Sequence, residues 1–526
     1  MGACQARLVW FAPPLFNALD AALHCRILLE VQSAQQRGRV RIVYARVLLV
    51  NRLYYGDCLT IMREMPLKSV DLIYLDPPFQ SNRDYNGIYK DETGRPLPDQ
   101  IEAFCDTWTL NEESERAART MPVLMREAGV DDEIAEFWRL WMNALRKTNP
   151  KLLAYLVYMT QRLLPMRGLL KPTGSIYLHC DPTASHYIKV MMDAIFGHGN
   201  FLNDISWCYK SGGVSKRWFA KKHDSILLYA RSKGNHVFHP VKIKSYGQSG
   251  GGQGGKVKYY KDSKGTYSVV NARDWWEISM LSTTHSERLG YATQKPMPLL
   301  KRIIQASSNP GDVVFDPFCG CATTIEAAHK LGRKWIGCDI AIHAIKRVAS
   351  VRLRDRLGLQ EGVDFKVEGV PRNMEGARDL WERDKYHFQK WAVEQVDGFV
   401  TAKRGSDGGI DGRIYFDLQG VKDLQSMVLE VKGGSSVGIG VVRDLRGVLE
   451  RETAQMAGLI VMDDLGERKT RNFAKEMAMA GDLNVMGVAY PRMQMLTARE
   501  IFDGKRFLTP SVAKARGLAQ PSLPLG

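Results

Sequence analysis

Several absences narrow the chemistry of this 526-residue chain before any motif is considered. Its nine cysteines all lie at or before Cys338 and include no Cys-x-x-Cys pair. Neither a disulfide framework nor a zinc ribbon fits that pattern, and buried free thiols in a reducing compartment are expected. No apolar run approaches the ~18 residues that span a bilayer. The apolar stretch 8–23 is broken by Pro13, Pro14 and Asp20 and has no basic flank, so it makes a poor secretory signal. No internal repeat is found.

What is present is an ordinary globular composition, 45% hydrophobic and 25% charged, with a net charge of +16. The length exceeds what one core usually serves, so two or three domains are expected. The positive field favours polyanions, and it is uneven. Residues 201–290 hold 15 Lys/Arg against 6 Asp/Glu, interleaved with Trp207, Tyr209, Trp218, Tyr259, Tyr260, Trp275 and Trp276. Cations among aromatics suit phosphate contacts and base stacking; a solvated basic face is the blander alternative.

The first 50 residues match no motif. From Asn51 a strand near 52–55, a turn at Gly56-Asp57, a helix and a strand at 70–75 follow. Residues 87–150 read as a helical insertion over a cleft, with Phe137, Leu140, Trp141 and Leu145 on one face of a helix from Asp132. A helix over 152–164, a turn at Lys171-Pro172-Thr173-Gly174 and a strand at 175–178 come next. The glycine run 250–255 reads as a mobile loop. The pattern then gives a strand at 312–315, a helix over 323–331 and a strand at 334–338. Residues 356–385 read as a linker, and a distinct unit spans 386–510.

Two short segments end apolar runs of the kind that form buried parallel strands, Asp76-Pro77-Pro78-Phe79 and Asp316-Pro317-Phe318-Cys319-Gly320-Cys321. Ligands of open α/β sheets bind outside the carboxyl ends of strands, so both segments are expected in one crevice. In the second, glycine allows close backbone approach, and Asp339, 23 residues after Asp316, can accept from both ribose hydroxyls. The turn after 312–315 carries no G-x-G-x-x-G, so a dinucleotide is less suited to it than S-adenosylmethionine. A purely structural turn is the alternative.

The first segment suits an exocyclic amine on a nucleobase, whose nitrogen lone pair is delocalised into the ring. Asp76 can accept one N–H and a carbonyl held by Pro77 and Pro78 the other, while Phe79 offers a stacking face for a flipped base. With Thr293-Gln294-Lys295-Pro296 added, residues 51–355 resemble a β-class site-specific DNA amino-methyltransferase. The resemblance implies a Rossmann-like α/β fold with a mostly parallel sheet, S-adenosylmethionine as cofactor and double-stranded DNA as substrate. It also implies transfer to adenine N6, or to cytosine N4, with Asp76, Pro77, Pro78 and Phe79 catalytic. It places Asp316, Pro317, Phe318, Cys319, Gly320, Asp339, Thr293, Gln294, Lys295, Pro296 and, less directly, Asp57 around the cofactor. Residues 201–290 would read the target. Two departures stand out: Ala322 replaces a customary glycine, harmless if its φ is negative, and Ala292 replaces a proline. His179 and His223 are read as structural.

In the C-terminal unit, Gly408-Gly409-Ile410-Asp411-Gly412 precedes a strand at 413–416, and Glu430 and Lys432 share a face of the next strand. An acid opposite a Glu-x-Lys can hold Mg²⁺ beside a scissile phosphate. Residues 386–510 resemble the Mrr-like branch of the restriction-endonuclease fold. That implies a smaller α/β domain with Asp411, Glu430 and Lys432 at its catalytic positions and Asp411 and Glu430 on Mg²⁺. Together the resemblances imply a cytoplasmic restriction–modification or defence protein of bacterial, archaeal or phage origin, with no membrane partner. The sequence leaves the oligomeric state open, a dimer included. Two alternatives remain: a DNA tether with lost catalysis, or a methyltransferase for RNA or a protein amide.

Overall fold

The computed structural model describes residues 51–78, 108, 110–210, 216–246, 258–282, 285, 287–288, 294–401, 409–416, 418, 425–434 and 437–510. The 1–50 extension, Phe79, Thr293, Gly408 and the 250–255 run lie outside them.

The first part alternates β1 (Arg52–Tyr55), α1 (Cys58–Glu64) and β2 (Val70–Leu75), followed by helices α2 (Glu112–Glu127), α3 (Asp132–Thr148) and α4 (Pro150–Leu169). Then come β3 (Leu170–Cys180), α5 (Ser185–Phe196), β4 (Phe201–Cys208) and β5 (His223–Ala230). A small sheet, β6 (Lys242–Tyr246), β7 (Tyr259–Asp262) and β8 (Gly265–Asn271), precedes β9 (Trp275–Glu277) and α6 (Met297–Ser307). The chain closes this part with β10 (Val313–Asp316), α7 (Thr323–Lys330), β11 (Lys334–Asp339), α8 (Ile342–Arg347) and β12 (Lys366–Glu368).

Nine strands form one sheet in the order β12-β1-β11-β10-β2-β3-β5-β4-β9. The six from β12 to β3 are parallel; β5 runs antiparallel to both β3 and β4, and β9 is parallel to β4. The sheet is therefore mixed, with a parallel majority. Strands covered on both faces tolerate few polar side chains, and β2 is buried along its whole length. Its one acid, Asp71, is satisfied there by the Val313 N–H at 2.9 Å and Lys171 Nζ at 2.7 Å.

Two local expectations are corrected. The segment 171–174 is no turn but part of β3, with a register shift against β2 between Val70 and Leu72. Gly174 serves close approach there, since a Cβ would lie 2.9 Å from the Asp71 carbonyl oxygen. In α3 the buried face is Ala135, Trp138, Met142 and Leu145, whereas Phe137 and Leu140 are exposed. The six described cysteines are free, five of them buried and Cys208 half-buried. Among the described residues no helix is long and apolar enough to cross a membrane.

The second part begins with α9 (Met374–Arg383), α10 (Lys385–Gln395), β13 (Phe399–Val400), β14 (Gly412–Phe416), β15 (Gln425–Lys432) and α11 (Gly440–Arg451). It ends with β16 (Met456–Val461), α12 (Glu467–Ala478), the hairpin β17 (Asp482–Val485) and β18 (Val488–Pro491), β19 (Met493–Thr497) and α13 (Ala498–Phe502). Its sheet order is β13-β14-β15-β16-β19, antiparallel on one side of β15 and parallel on the other. Helix α10 is packed into the first part: one apolar cluster runs from Leu53, Tyr55 and Ile345 through Phe388 and Trp391 to Leu429 and Ile460. The Tyr55 hydroxyl donates to the His387 carbonyl at 3.4 Å.

Candidate active site

Parallel neighbours deliver their carboxyl ends to one edge of the sheet. Register pairs Tyr55 with Asp339, Asp316 with Gly337, Phe315 with Ile73, and Leu75 with Leu178. That edge therefore carries, strand by strand, Asp57, Asp339, Asp316, Asp76 and His179. The two acidic turns expected in one crevice do lie on adjacent strands.

Asp339 is buried, and its carboxylate accepts from the Gly320 and Ala341 N–H groups, each at 2.8 Å. The Cys319 N–H donates to the Cys338 carbonyl at 2.9 Å, drawing the 318–321 turn against the end of β11. Gly320 has φ 48°, which glycine adopts without strain. Ala322, the N-cap of α7, has φ 56° and ψ 40°. The condition under which alanine would be harmless is thus not met: its Cβ sits in the left-handed region.

Burial raises the Asp316 carboxyl to about 7 against hydrogen bonds from Thr324 and the Phe318 N–H, and the charges of Asp76 and Asp339 add to the rise. Burial likewise lifts Asp339 to about 6, opposed by the N–H groups of Ala341 and Gly320 and by Lys390. Three crowded carboxyls leave the pocket short of positive charge. A sulfonium and an ammonium with ribose hydroxyls to donate, the groups of S-adenosylmethionine, fit this donor set.

Asp76 is held from one side only. Lys295 Nζ lies 2.6 Å from its Oδ2. Oδ1 is buried and, among the described residues, has no hydrogen-bond partner. A buried acceptor of this kind is costly unless a donor arrives to fill it. Pro77 and Pro78 contribute no N–H, so the backbone of this turn presents only carbonyls at those positions.

The structure adds residues that sequence reasoning set aside. His179 is fully buried; its Nδ1 lies 3.0 Å from the Tyr74 hydroxyl and 4.0 Å from Asp76 Oδ1. Its Nε2 lies 3.1 Å from Asp224 Oδ2, and the Tyr209 hydroxyl donates to Asp224 Oδ1 at 3.0 Å. A lone histidine gives no sign of such partners; the only signal was its place at the carboxyl end of a strand beside β2. Lys295, expected on the cofactor, reaches Asp76. Gln294 Nε2 donates to the Glu287 carbonyl at 2.9 Å and the Met297 N–H to Glu287 Oε1 at 2.9 Å, which ties down the run ending in Pro296. Asp57 caps α1 through the Leu59 N–H at 2.9 Å and pairs with buried Arg162 at 2.6 Å. Phe318 packs toward Tyr158, over whose ring Arg162 lies at 3.4 Å.

The aromatics of 201–290 divide. Trp207 and Trp276 are core, while Trp218, Tyr259, Tyr260 and Trp275 are exposed. Lys244, with its ammonium 4.3 Å from the Tyr267 ring, lies on the same small sheet as Tyr259 and Tyr260.

In the second part Asp411 precedes β14, whose Gly412 pairs with Leu429, so Asp411 stands level with Glu430. Asp411 Oδ2 accepts from the Val431 N–H at 2.7 Å, and Lys432 Nζ lies 2.7 Å from buried Glu430 Oε1. Gly409 has φ 85°, and a Cβ there would lie 3.9 Å from Glu430 Oε1. The Lys432 ammonium is held above its ordinary value: burial opposes the charge, but Glu430 and Asp411 outweigh it. The three expected residues are thus gathered. Among the described residues no three His, Cys, Asp or Glu side chains form a metal-ready group. Glu394, on α10, faces the first part, where burial pushes it up to about 8 against Lys390, Lys346 and the Ile342 N–H.

A doubly wound, mostly parallel sheet with acidic turns at adjacent carboxyl ends places the first part in the α/β class. Residues 70–350, just over half of the chain, match the DNA methylase family of N6 and N4 methyltransferases, and the chain belongs to that family. It is similar to the type II methyltransferase M.EcaI of Enterobacter cloacae, 30% identical, over 37% of this chain and 56% of that one. The DNA adenine methyltransferase YhdJ of Escherichia coli K12 is 27% identical over 56% of this chain and 80% of its own length. The type II methyltransferase M1.MboII of Moraxella bovis is 36% identical over 27% of this chain and 58% of its own. The match thus spans little more than half of the length of two of these relatives.

Proposed function

We propose that this protein methylates an exocyclic base amine in double-stranded DNA, adenine N6 in preference to cytosine N4. The observation that carries the reading is Asp76 Oδ1, a buried acceptor without a partner among the described residues, one strand from the acid cluster around Asp316 and Asp339. When bound, S-adenosylmethionine supplies the methyl: its C–S bond breaks with the pair left on sulfur, and the amine's lone pair forms the new N–C bond. Asp76 Oδ1 accepts one N–H of the flipped base, and a carbonyl of the proline turn accepts the other. Together they draw the nitrogen out of conjugation and stabilise its developing positive charge. Lys295 fixes the carboxylate so that one oxygen faces the base. Asp316, Phe318, Gly320 and Asp339 hold and orient the nucleoside. The exposed Trp218, Tyr259, Tyr260 and Trp275 and the neighbouring lysines supply phosphate contact and target reading.

The second part of the reading is that Asp411 and Glu430 hold Mg²⁺ and, together with Lys432, cleave DNA, in a cytoplasmic restriction–modification or defence setting. The convergence of the three side chains across β14 and β15 supports it. The test of the whole is to express the chain in cells and sequence their DNA with a method that separates N6-methyladenine from N4-methylcytosine. A single modified motif carrying N6-methyladenine is expected; unmodified DNA would reject the reading.

A further inference from the structure

Taking a base out of a stacked duplex leaves a hole, and the base returns unless something stabilises the opened step. We propose that Phe219 fills that hole, entering the duplex at the step from which the target base leaves; this rests on the methyl-transfer reading above. Phe219 is 99% exposed, more than any other large apolar side chain among the described residues. A single surface phenyl is ordinary. The position of this one in the fold, and the charge around it, are not.

The position is set by the β4–β5 hairpin. Strand β5 runs antiparallel to β3, pairing Ser225 with Cys180 and Ile226 with His179. The start of β5 therefore lies at the carboxyl end of β3, on the sheet edge that carries Asp76 and Asp316. Across the hairpin Cys208 pairs with His223 and Trp207 with Asp224. The Tyr209 N–H donates to the Lys222 carbonyl at 3.0 Å and closes the neck of the connection. Asp224 ties that neck to the site. Its Oδ1 accepts from the Tyr209 hydroxyl at 3.0 Å, and its Oδ2 lies 3.1 Å from Nε2 of His179, whose Nδ1 is 4.0 Å from Asp76 Oδ1. Phe219 stands five residues ahead of Asp224, a chain span of at most about 18 Å.

Residues 216–222 read Lys-Arg-Trp-Phe-Ala-Lys-Lys, four cations and no acid. Lys216, Arg217 and Lys221 are exposed. A phenyl ring with cations on both sides suits a duplex. The cations take phosphates on either side of the opened step, and the flat apolar ring stacks between the bases left behind. The same cations disfavour an apolar protein surface as the occupant, because their charge would lose water against it. Trp218, at 68%, is less exposed, so the tip of the wedge falls to Phe219. The pocket beside Asp76 receives the base, and the ring delays its return.

The test uses the full chain and duplex oligonucleotides carrying the motif that is modified in cellular DNA. F219A is expected to bind S-adenosylmethionine as the parent does in equilibrium dialysis. It should slow single-turnover methylation of the matched duplex about 5- to 150-fold, the scale of one lost base–aromatic stack. A mispair or abasic site opposite the target base lowers the cost of flipping, so F219A should recover most of the difference on that substrate. F219A at the parent rate on the matched duplex overturns the proposal. So does an equal loss on both substrates, which marks weakened DNA contact rather than a missing wedge. If F219A does not fold, F219Q is measured on the same two substrates by the same criteria. A parent that methylates neither duplex rejects the methyl-transfer reading and the wedge with it, whereas an active parent with an equally active F219A rejects the wedge alone.

Discussion

Lys295 Nζ and Asp76 Oδ2 meet at 2.6 Å, joining the run before α6 to the turn after β2. The pair leaves the second oxygen, Oδ1, buried and without a hydrogen-bond partner among the described residues, the oxygen that the proposed mechanism gives to a substrate N–H. The D76A variant should therefore lose at least about 10²–10³-fold in methyl transfer, the scale of losing a charge-stabilising group. Binding of S-adenosylmethionine should change little. Radiolabelled methyl incorporation beside equilibrium dialysis checks both halves, and retained incorporation would remove Asp76 from the mechanism.

The elevated carboxyls predict how cofactor affinity depends on pH. Burial lifts Asp316 to about 7 and Asp339 to about 6, and in the proposed function both serve S-adenosylmethionine when ionised. Affinity for S-adenosylmethionine should fall as pH drops through 7 and then 6. Stability of the ligand-free protein runs the other way. Each folded-state value lies above the ordinary 3.8, so the folded form binds its proton more tightly. These two groups therefore contribute increasing stability as pH falls from above 7 toward 4. Calorimetric titration at pH 5.5, 6.5 and 8, beside urea unfolding of mutants lacking each acid, would show the opposed slopes.

Ala322 predicts a gain from substitution. At φ 56° its Cβ costs energy that glycine would not. Ala322→Gly should stabilise the protein by about 0.5–1 kcal/mol, partly offset by the greater freedom of glycine when unfolded. Ala322→Val should do the reverse, because β-branching sharpens the clash and the site is fully buried. Denaturant midpoints of the two variants give the sign.

Lys432 predicts separable activities. Lys432→Ala should abolish Mg²⁺-dependent cleavage of plasmid DNA and leave methylation at the parent rate. Loss of both together would contradict two sites on two sheets.

Much of the frame was legible because buried parallel strands read as short apolar runs; Val70–Leu75 and Lys334–Asp339 emerged almost residue for residue. The motifs placed Asp76, Asp316 and Asp339 because a strand's carboxyl end is a position that sequence reveals. Other features depended on residues far apart in the chain. Helix α3 offers two apolar stripes, one with Trp138 and Met142 and one with Phe137 and Leu140, and its packing against α2, α4 and α5 decides which is buried. Gly174 resembles a turn residue until Asp71 is seen pressing against it. His179 acquires meaning through Tyr74 and Asp224, neither near it in sequence, and Lys295 through Asp76.

Helix α10 carries a consequence for the geometry of any cut. Phe388 and Trp391 lie in the same apolar cluster as Leu53 and Tyr55, so the two sheets are mortared together rather than tethered. On the proposed nuclease reading, such a build acts as a ruler: the nick would fall a constant count of base pairs from the recognised word, and lengthening the chain ahead of α10 would blur that spacing.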